Sequence, residues 1–201
     1  MVIGIAGKKR SGKDTIADHL VGCYNFERYS FANPIKEACK HLFGFTDEQV
    51  YGDLKDVIDH NWGITPRLAL QIMGTEIFQY DIQDRIPELK SIGRSHWVKR
   101  FEMWYNDKLI LENEINNFQD DGTFHVVIPD VRFQHEIDGI RRAGGKIFKV
   151  VRPNLTFEDT HPSEMEQDAI TDIDYIIIND SDISTLHKKI DEIILDIRTK
   201  K

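Results

Sequence analysis

Cysteine is scarce in this sequence: two residues in 201, Cys23 and Cys39, each inside a predicted helix. Their positions fit no metal-ligand spacing and no disulfide framework, so both read as free, mostly buried thiols of a reducing compartment. Positive charge is short as well. Against 34 acidic residues stand 26 lysines and arginines, a formal net charge of −8, the reverse of the basic surface of a dedicated nucleic-acid binder. No apolar run approaches the length that crosses a bilayer, and residues 1–6 are too short and lack the basic leader of a secretory signal. Internal repeats, low-complexity tracts and dividing linkers are missing too. The expectation is a soluble, cytoplasmic chain whose 40% hydrophobic content buries one core.

What is present begins at once. An apolar run, Val2 to Ala6, leads into Gly7-Lys8-Lys9-Arg10-Ser11-Gly12-Lys13-Asp14-Thr15, and Ile16, Ala17, Leu20 and Val21 follow at helical spacing. Strand, glycine-bounded loop and helix in that order make a phosphate-binding loop. Gly7 and Gly12 let the backbone curl so that several N–H groups converge on one anion, and the helix N-terminus adds its positive end. Lys13 supplies a mobile charge that follows a phosphoryl group from donor to acceptor. One position departs from the common pattern: Asp14 follows the lysine where a magnesium-ligating Ser or Thr usually stands, with Thr15 next. Either Asp14 or Thr15 reaches the metal, or Asp14 only caps the helix.

Further along, the helix Asp14–Tyr24 is expected to pack Ile16, Leu20 and Val21 on the sheet, and Phe26–Phe31 reads as a short strand. Asn33 and Pro34 predict a cap and first turn; Lys36 in that turn is disfavoured by the helix dipole, which marks either function or an ordinary surface lysine. Residues 44–65 read as a polar, mobile excursion. Thr65-Pro66 opens another helix carrying Arg67 and Gln71. From Ser95 an aromatic stripe of Trp97, Phe101, Trp104 and Tyr105 suits core packing, with Trp97 beside the cap as the candidate ligand contact. Phe124–Pro129 is a strand ending in Asp130, and Arg132, Gln134, His135 and Glu136 crowd behind it, where open α/β sheets bind ligands. Strands at Lys146–Val151 and Tyr175–Ile178, with a closing helix from about Ile183 to Ile197, complete an α/β alternation. That pattern implies a parallel sheet with helices on both faces.

Several blocks together resemble the deoxynucleoside monophosphate kinases of large DNA bacteriophages. They are Gly7–Thr15, Phe31–Lys36, Gln71–Glu76, Trp97-Val98, Pro129–Glu136, Val151–Pro153, Thr160–Glu164 and Ile178–Asp180, in order across nearly the whole chain. The resemblance implies a three-layer P-loop NTPase fold: one domain over 1–201, a helical insertion for the nucleoside monophosphate at about 33–106, and a lid at about 152–170. It implies transfer of the ATP γ-phosphoryl group to a deoxynucleoside 5′-monophosphate, with Mg²⁺, in the host cytoplasm if a phage encodes the chain. Small molecules would be its partners, with no nucleic acid polymer and no membrane; oligomeric state is left open, a homodimer being the assembly considered.

Under that reading Gly7, Lys8, Arg10, Ser11, Gly12, Lys13, Asp14 and Thr15 hold the ATP phosphates, and Asp14 or Thr15 serves the metal. Lys36, Arg67 and Arg132 are candidates for the acceptor phosphate, because arginine grips phosphate through two parallel hydrogen bonds. Asp130 either orders magnesium through water, binds deoxyribose or orients Arg132. Gln71, Trp97, Gln134 and Glu136 would read or stack on the base, Arg152 would belong to the lid, and Asn179 and Asp180 to the loop beside adenine. The competing readings are another small-molecule P-loop kinase of the dephospho-coenzyme A or phosphomevalonate type, a non-catalytic nucleotide-binding regulator, and an interaction protein with a vestigial loop.

The lid expectation rests on a long, aperiodic polar segment between two apolar strands and on the need to keep water from the γ-phosphate. Hydrogen exchange tests it. Amides from about 154 to 167 should exchange fast in the free protein and slowly with an ATP analogue and a deoxynucleoside monophosphate both bound; equal protection in the two states rejects it.

Overall fold

The computed structural model describes residues 1–115, 124–153 and 170–200. The proposed lid, including Thr160–Glu164, lies outside the described residues apart from its ends. Among the described residues no helix is long and apolar enough to cross a membrane. The chain divides into two compact units, Met1–Ser30 with Trp104–Lys201, and Phe31–Met103.

The first unit is built on five strands: β1 (Val2–Ala6), β2 (Glu27–Arg28), β3 (Val126–Val131), β4 (Lys146–Val151) and β5 (Tyr175–Ile178). They run parallel in the order β2-β3-β1-β4-β5. Alternation along β1 assigns its faces. Ile3 and Ile5 join Phe148, Val150 and Ile177 against α1 (Lys13–Tyr24) and the closing helix, here α8 (Ile183–Thr199), through Ile16, Leu20, Leu186, Ile190 and Ile194. Gly4 faces the other way, where a Cβ would crowd the side chains of Ile140, Ile147 and Val131. Ile140 belongs to α7 (Gln134–Arg142). Helices thus cover both faces, the three-layer P-loop NTPase fold.

The second unit carries α2 (Asn33–Phe43), α3 (Asp47–Val50), α4 (Pro66–Gln71), a π-helix over Ile72–Asp81, and α5 (Ile82–Arg85). It also holds the first residues of α6 (His96–Ile115), which ends in the other unit. Thr65 caps α4 by accepting the N–H of Leu68, with Pro66 in the first turn, as the sequence predicts.

Five local expectations need correction. The cap of α2 is Ala32, already helical at φ −81° and ψ −10°, so Asn33 lies inside the first turn and no side chain caps that end. Residues 44–65 are not merely a polar excursion: Phe45 and Val50 are buried with Ile35, Cys39 and Ala69 in the core of the second unit. Val21 is 40% exposed, because Ala17 rather than Val21 completes the buried stripe of α1. Only Cys39 is a buried thiol; Cys23 is exposed. The strand predicted over Phe26–Phe31 also shrinks to Glu27–Arg28, since Phe26 and Tyr29 bury their rings from either end of it.

Asp174 anchors the strand that enters the sheet edge. Its Oδ2 accepts the N–H of Ile147 at 2.7 Å and Nη1 of Arg141 at 2.5 Å, and its Oδ1 pairs with Lys146 at 3.2 Å. Arg141 also reaches the more exposed Asp172 at 2.7 Å. Asp174→Ala strands a part-buried N–H and a guanidinium, and should cost about 1–3 kcal/mol in urea unfolding. Asp172→Ala, at the surface, should cost less than about 1 kcal/mol. Equal losses would show that Asp174 is no special anchor.

Candidate active site

The turn after β1 is shaped by two glycines. Gly7 has φ +148°, and a Cβ on it would sit 2.6 Å from the carbonyl oxygen of Val150 in the neighbouring strand β4. Gly12 has φ +108°, and its Cβ would sit 2.5 Å from Nδ2 of Asn179. Side chains at either place would meet both a strained backbone and an occupied space. Arg10 also takes a positive φ, 64°, and Ser11 closes the turn by donating its N–H to the carbonyl of Lys8 at 3.1 Å.

Gly12 is the cap of α1, and no side chain caps it. Asp14 therefore does not serve as the helix cap; it lies in the first turn, where its carboxylate pairs with Arg28. The first N–H groups of α1 look into the loop, a ready anion site.

Lys13 is buried, and its ammonium folds back over the loop, donating to the carbonyls of Gly7 at 2.5 Å and Lys8 at 3.0 Å. Asn179, at the end of β5, donates Nδ2 to the carbonyl of Ser11 at 2.7 Å and so ties the loop to the sheet. The Ser11 hydroxyl is buried with no hydrogen-bond partner among the described residues. A buried hydroxyl without a partner costs free energy that a bound oxyanion recovers.

Beside the loop opens a cavity of about 350 Å³ lined by Lys13, Asp14, Thr15 and Asn179, with Arg152 and Ile183 farther round. Arg152 touches the loop through a long bond from Nη1 to the carbonyl of Arg10, 3.4 Å. Asp180 faces Lys189 at 2.9 Å, and that ammonium holds its carboxyl below the usual range. Ser181, Ile183 and Leu186 also line the cavity; the sequence reading missed them. The available signal was an isoleucine, Ile183, directly after the polar run Asp180-Ser181-Asp182 at the start of an amphipathic helix; in the structure it is 63% exposed.

The parallel pairing of β1 with β3 matches Ala6 with Val131, which sets the phosphate loop next to the β3–α7 turn. There Asp130 holds Arg132 through one carboxylate oxygen, at 3.0 Å to Nε and 2.9 Å to Nη2. Glu136 points back under the turn and accepts the backbone N–H of Arg132 at 2.7 Å and of Phe133 at 3.1 Å. That is a structural duty at a helix start, independent of any contact with a base. Gln134 spends its amide on Asp138, 2.9 Å away.

The remaining candidates belong to the second unit. Lys36 lies over the ring of Tyr51, 4.6 Å from its centroid, and the Tyr51 hydroxyl donates to Glu37 at 2.6 Å. Arg67 makes a two-point contact with Asp56, which raises its pKa. Gln71 is exposed at the end of α4. Trp97 donates its indole N–H to the carbonyl of Gly74 at 2.8 Å and packs against Phe78 and the second unit's core.

The sequence profile described as deoxynucleotide monophosphate kinase matches the chain over residues 1–62 and 47–190. A protein of Acanthamoeba polyphaga mimivirus, provisionally given the same description, is 39% identical over 196 residues, covering 94% of each chain. The deoxynucleotide monophosphate kinase of Enterobacteria phage T4 is 25% identical, covering 94% of this chain and 96% of its own. That of Escherichia phage RB69 is 25% identical, covering 96% and 99%.

Glu136 also carries a pH signature. Burial pushes its carboxyl from an ordinary value of 4.5 up to about 7; neighbouring Asp130 adds to the rise, and the two backbone N–H groups oppose it. The folded state then binds the proton more tightly than the unfolded one. The stabilisation is therefore fully present below pH 4.5 and lost as pH rises through about 7. Glu136→Gln should flatten the stability-against-pH curve across that window, removing a slope worth at most roughly 3 kcal/mol. A mutant curve that parallels the wild type rejects the assignment.

Proposed function

The chain belongs to the deoxynucleotide monophosphate kinase family, and on that premise we propose which of its residues carry the phosphoryl group from ATP to the acceptor. The observation that carries the reading is the curled loop with Lys13 folded over it, a buried hydroxyl without a partner, and a cavity alongside. Phosphoryl transfer needs positioning and charge neutralisation more than covalent help from the protein, and this site offers those two things.

ATP places its β and γ phosphates against the loop N–H groups from Gly7 to Thr15, with Lys8, Arg10 and Ser11 around them. The Lys13 ammonium exchanges two carbonyl partners for phosphoryl oxygens and follows the group in transit. Arg152, Asn179 and Asp180 line the nucleoside side of the donor. Arg132, fixed by Asp130, presents its guanidinium to the acceptor phosphate. An oxygen of that phosphate bonds to the γ-phosphorus while the bond to the ADP oxygen breaks. Lys36, Arg67, Gln71 and Trp97 are assigned to the acceptor nucleotide, with Gln134 and Glu136 supporting the turn that carries Arg132.

Asp14 and Thr15 border the cavity with a carboxylate and a hydroxyl, hard oxygen donors of the kind Mg²⁺ takes alongside substrate phosphates and water. When bound, Mg²⁺ would neutralise phosphate charge. Arg28, paired with Asp14, holds that carboxylate in place beside the loop. The acceptors are small molecules, and the net charge of −8 weighs against a nucleic acid polymer.

An ADP-release assay across all deoxy- and ribonucleoside monophosphates tests the reading. Turnover is expected with at least one deoxynucleotide; silence on the whole panel, with turnover on dephospho-coenzyme A or phosphomevalonate, overturns it. Lys13→Ala should lower turnover by at least about 100-fold with the fold intact. Arg132→Lys keeps charge and loses the fork, so it should raise the acceptor KM or lower kcat while ATP affinity holds. Loss of ATP affinity with unchanged acceptor kinetics would move Arg132 to the donor side.

A further inference from the structure

At the far end of α1 from the phosphate loop, about 15 Å along the helix from Lys13, five side chains from two helices form a cluster that phosphoryl transfer does not use. Cys23 is exposed, and its Sγ lies 3.6 Å from Nδ1 of His19, one turn earlier. Nε2 of His19 lies 2.7 Å from Oδ1 of Asp191 on α8, and the same oxygen accepts the Tyr24 hydroxyl at 2.6 Å. The imidazole is stacked on that of His187, 4.0 Å between centroids and 12° between planes.

These contacts fix a tautomer. Asp191 is held ionised, first by the Tyr24 hydroxyl and then by His19, and an ionised carboxylate only accepts hydrogen bonds. His19 must therefore give it the Nε2 proton, which leaves Nδ1 as a bare acceptor facing the thiol. Thiol, imidazole and orienting carboxylate stand in the order found in activated nucleophiles. The ring is held on three sides, while the sulfur beyond it is open to solvent.

We propose that Cys23 is a thiol–disulfide exchange site that accepts a low-molecular-weight disulfide, with His19 as its base and Asp191 as the group that orients the base. The Cys23 thiol gives its proton to Nδ1, and its sulfur bonds to the near sulfur of the incoming disulfide. The S–S bond of that disulfide breaks, and the departing thiolate takes the proton back from the imidazolium. One mixed disulfide and one free thiol result, with atoms and electrons balanced and no further oxidant.

Glutathione disulfide is the probe, and the mixed disulfide is followed by intact mass and peptide mapping on the full chain. Cys39, fully buried and with its thiol pKa pushed up by burial, serves as an internal clock for unfolding. Cys23 should exchange at least about tenfold faster than Cys39. His19→Ala should slow Cys23 by about tenfold or more, the low end of what a positioned base contributes. Asp191→Asn, which no longer enforces the tautomer, should slow it in the same direction if the first variant fails to fold. A folded His19→Ala or Asp191→Asn protein whose Cys23 exchanges within twofold of wild type overturns the proposal and leaves Cys23 an ordinary surface thiol. So does a wild-type protein in which Cys23 and Cys39 exchange together.

Discussion

A lysine ammonium withdrawn from water must find oxygen partners, and the loop between β1 and α1 is arranged around that need. Desolvating such a charge costs several kcal/mol unless its hydrogen bonds are replaced. Lys13 finds them in the carbonyls of Gly7 and Lys8, groups that point inward only because the backbone at Gly7 turns through a region closed to other residues. That turn in turn needs bare space beside Val150 and, at Gly12, beside Asn179. Charge, loop geometry and the packing of β1 against β4 are one constraint seen at three scales. Carbonyl partners are also the right kind to surrender: they neutralise nothing, so an incoming phosphate competes for the ammonium on favourable terms.

The β3–α7 turn solves a related problem by other means. Arg132 is held by an exposed carboxylate in front and by a buried carboxylate beneath its own backbone N–H. The first holds the guanidinium in a defined place; the second fixes the peptide that carries it. Separating the two tasks lets the outer carboxylate remain in contact with solvent, while the inner one stays under the turn.

How far the sequence foretold this depends on the range of the forces involved. The strand, glycines and lysine at the N-terminus were legible because local backbone sterics and 3.6-residue periodicity act within a few residues. So were β4, β5 and the Thr65 cap. What stayed hidden was set by which partner a polar side chain chooses, near or far in the chain, and no periodicity records that choice. Glu136 looks like a base reader in sequence, yet its carboxylate serves the backbone of the preceding turn. Asn179 reads as part of the loop beside adenine, and nothing local announces that its amide ties down the carbonyl of Ser11, 168 positions away. Arg28 was not singled out, since nothing in a two-residue strand announces that it faces Asp14. Residues 44–65 read as a polar excursion because Phe45, Val50 and Ile64, which pack in the core of the second unit, are too few and too widely spaced to make a period. The ten-residue π-helix has no mark in the sequence, because a wider turn leaves the same composition.

The brevity of β2 has a consequence of its own. A sheet margin is where one protein chain can graft itself onto another, each unsatisfied N–H and C=O acting as a template for a foreign strand. On this side the margin is two residues long, and Phe26 and Tyr29 turn inward immediately before and after it. An intruding strand would find room for scarcely one pair of hydrogen bonds before meeting the buried rings of Phe26 and Tyr29, so this border is a poor template for another chain.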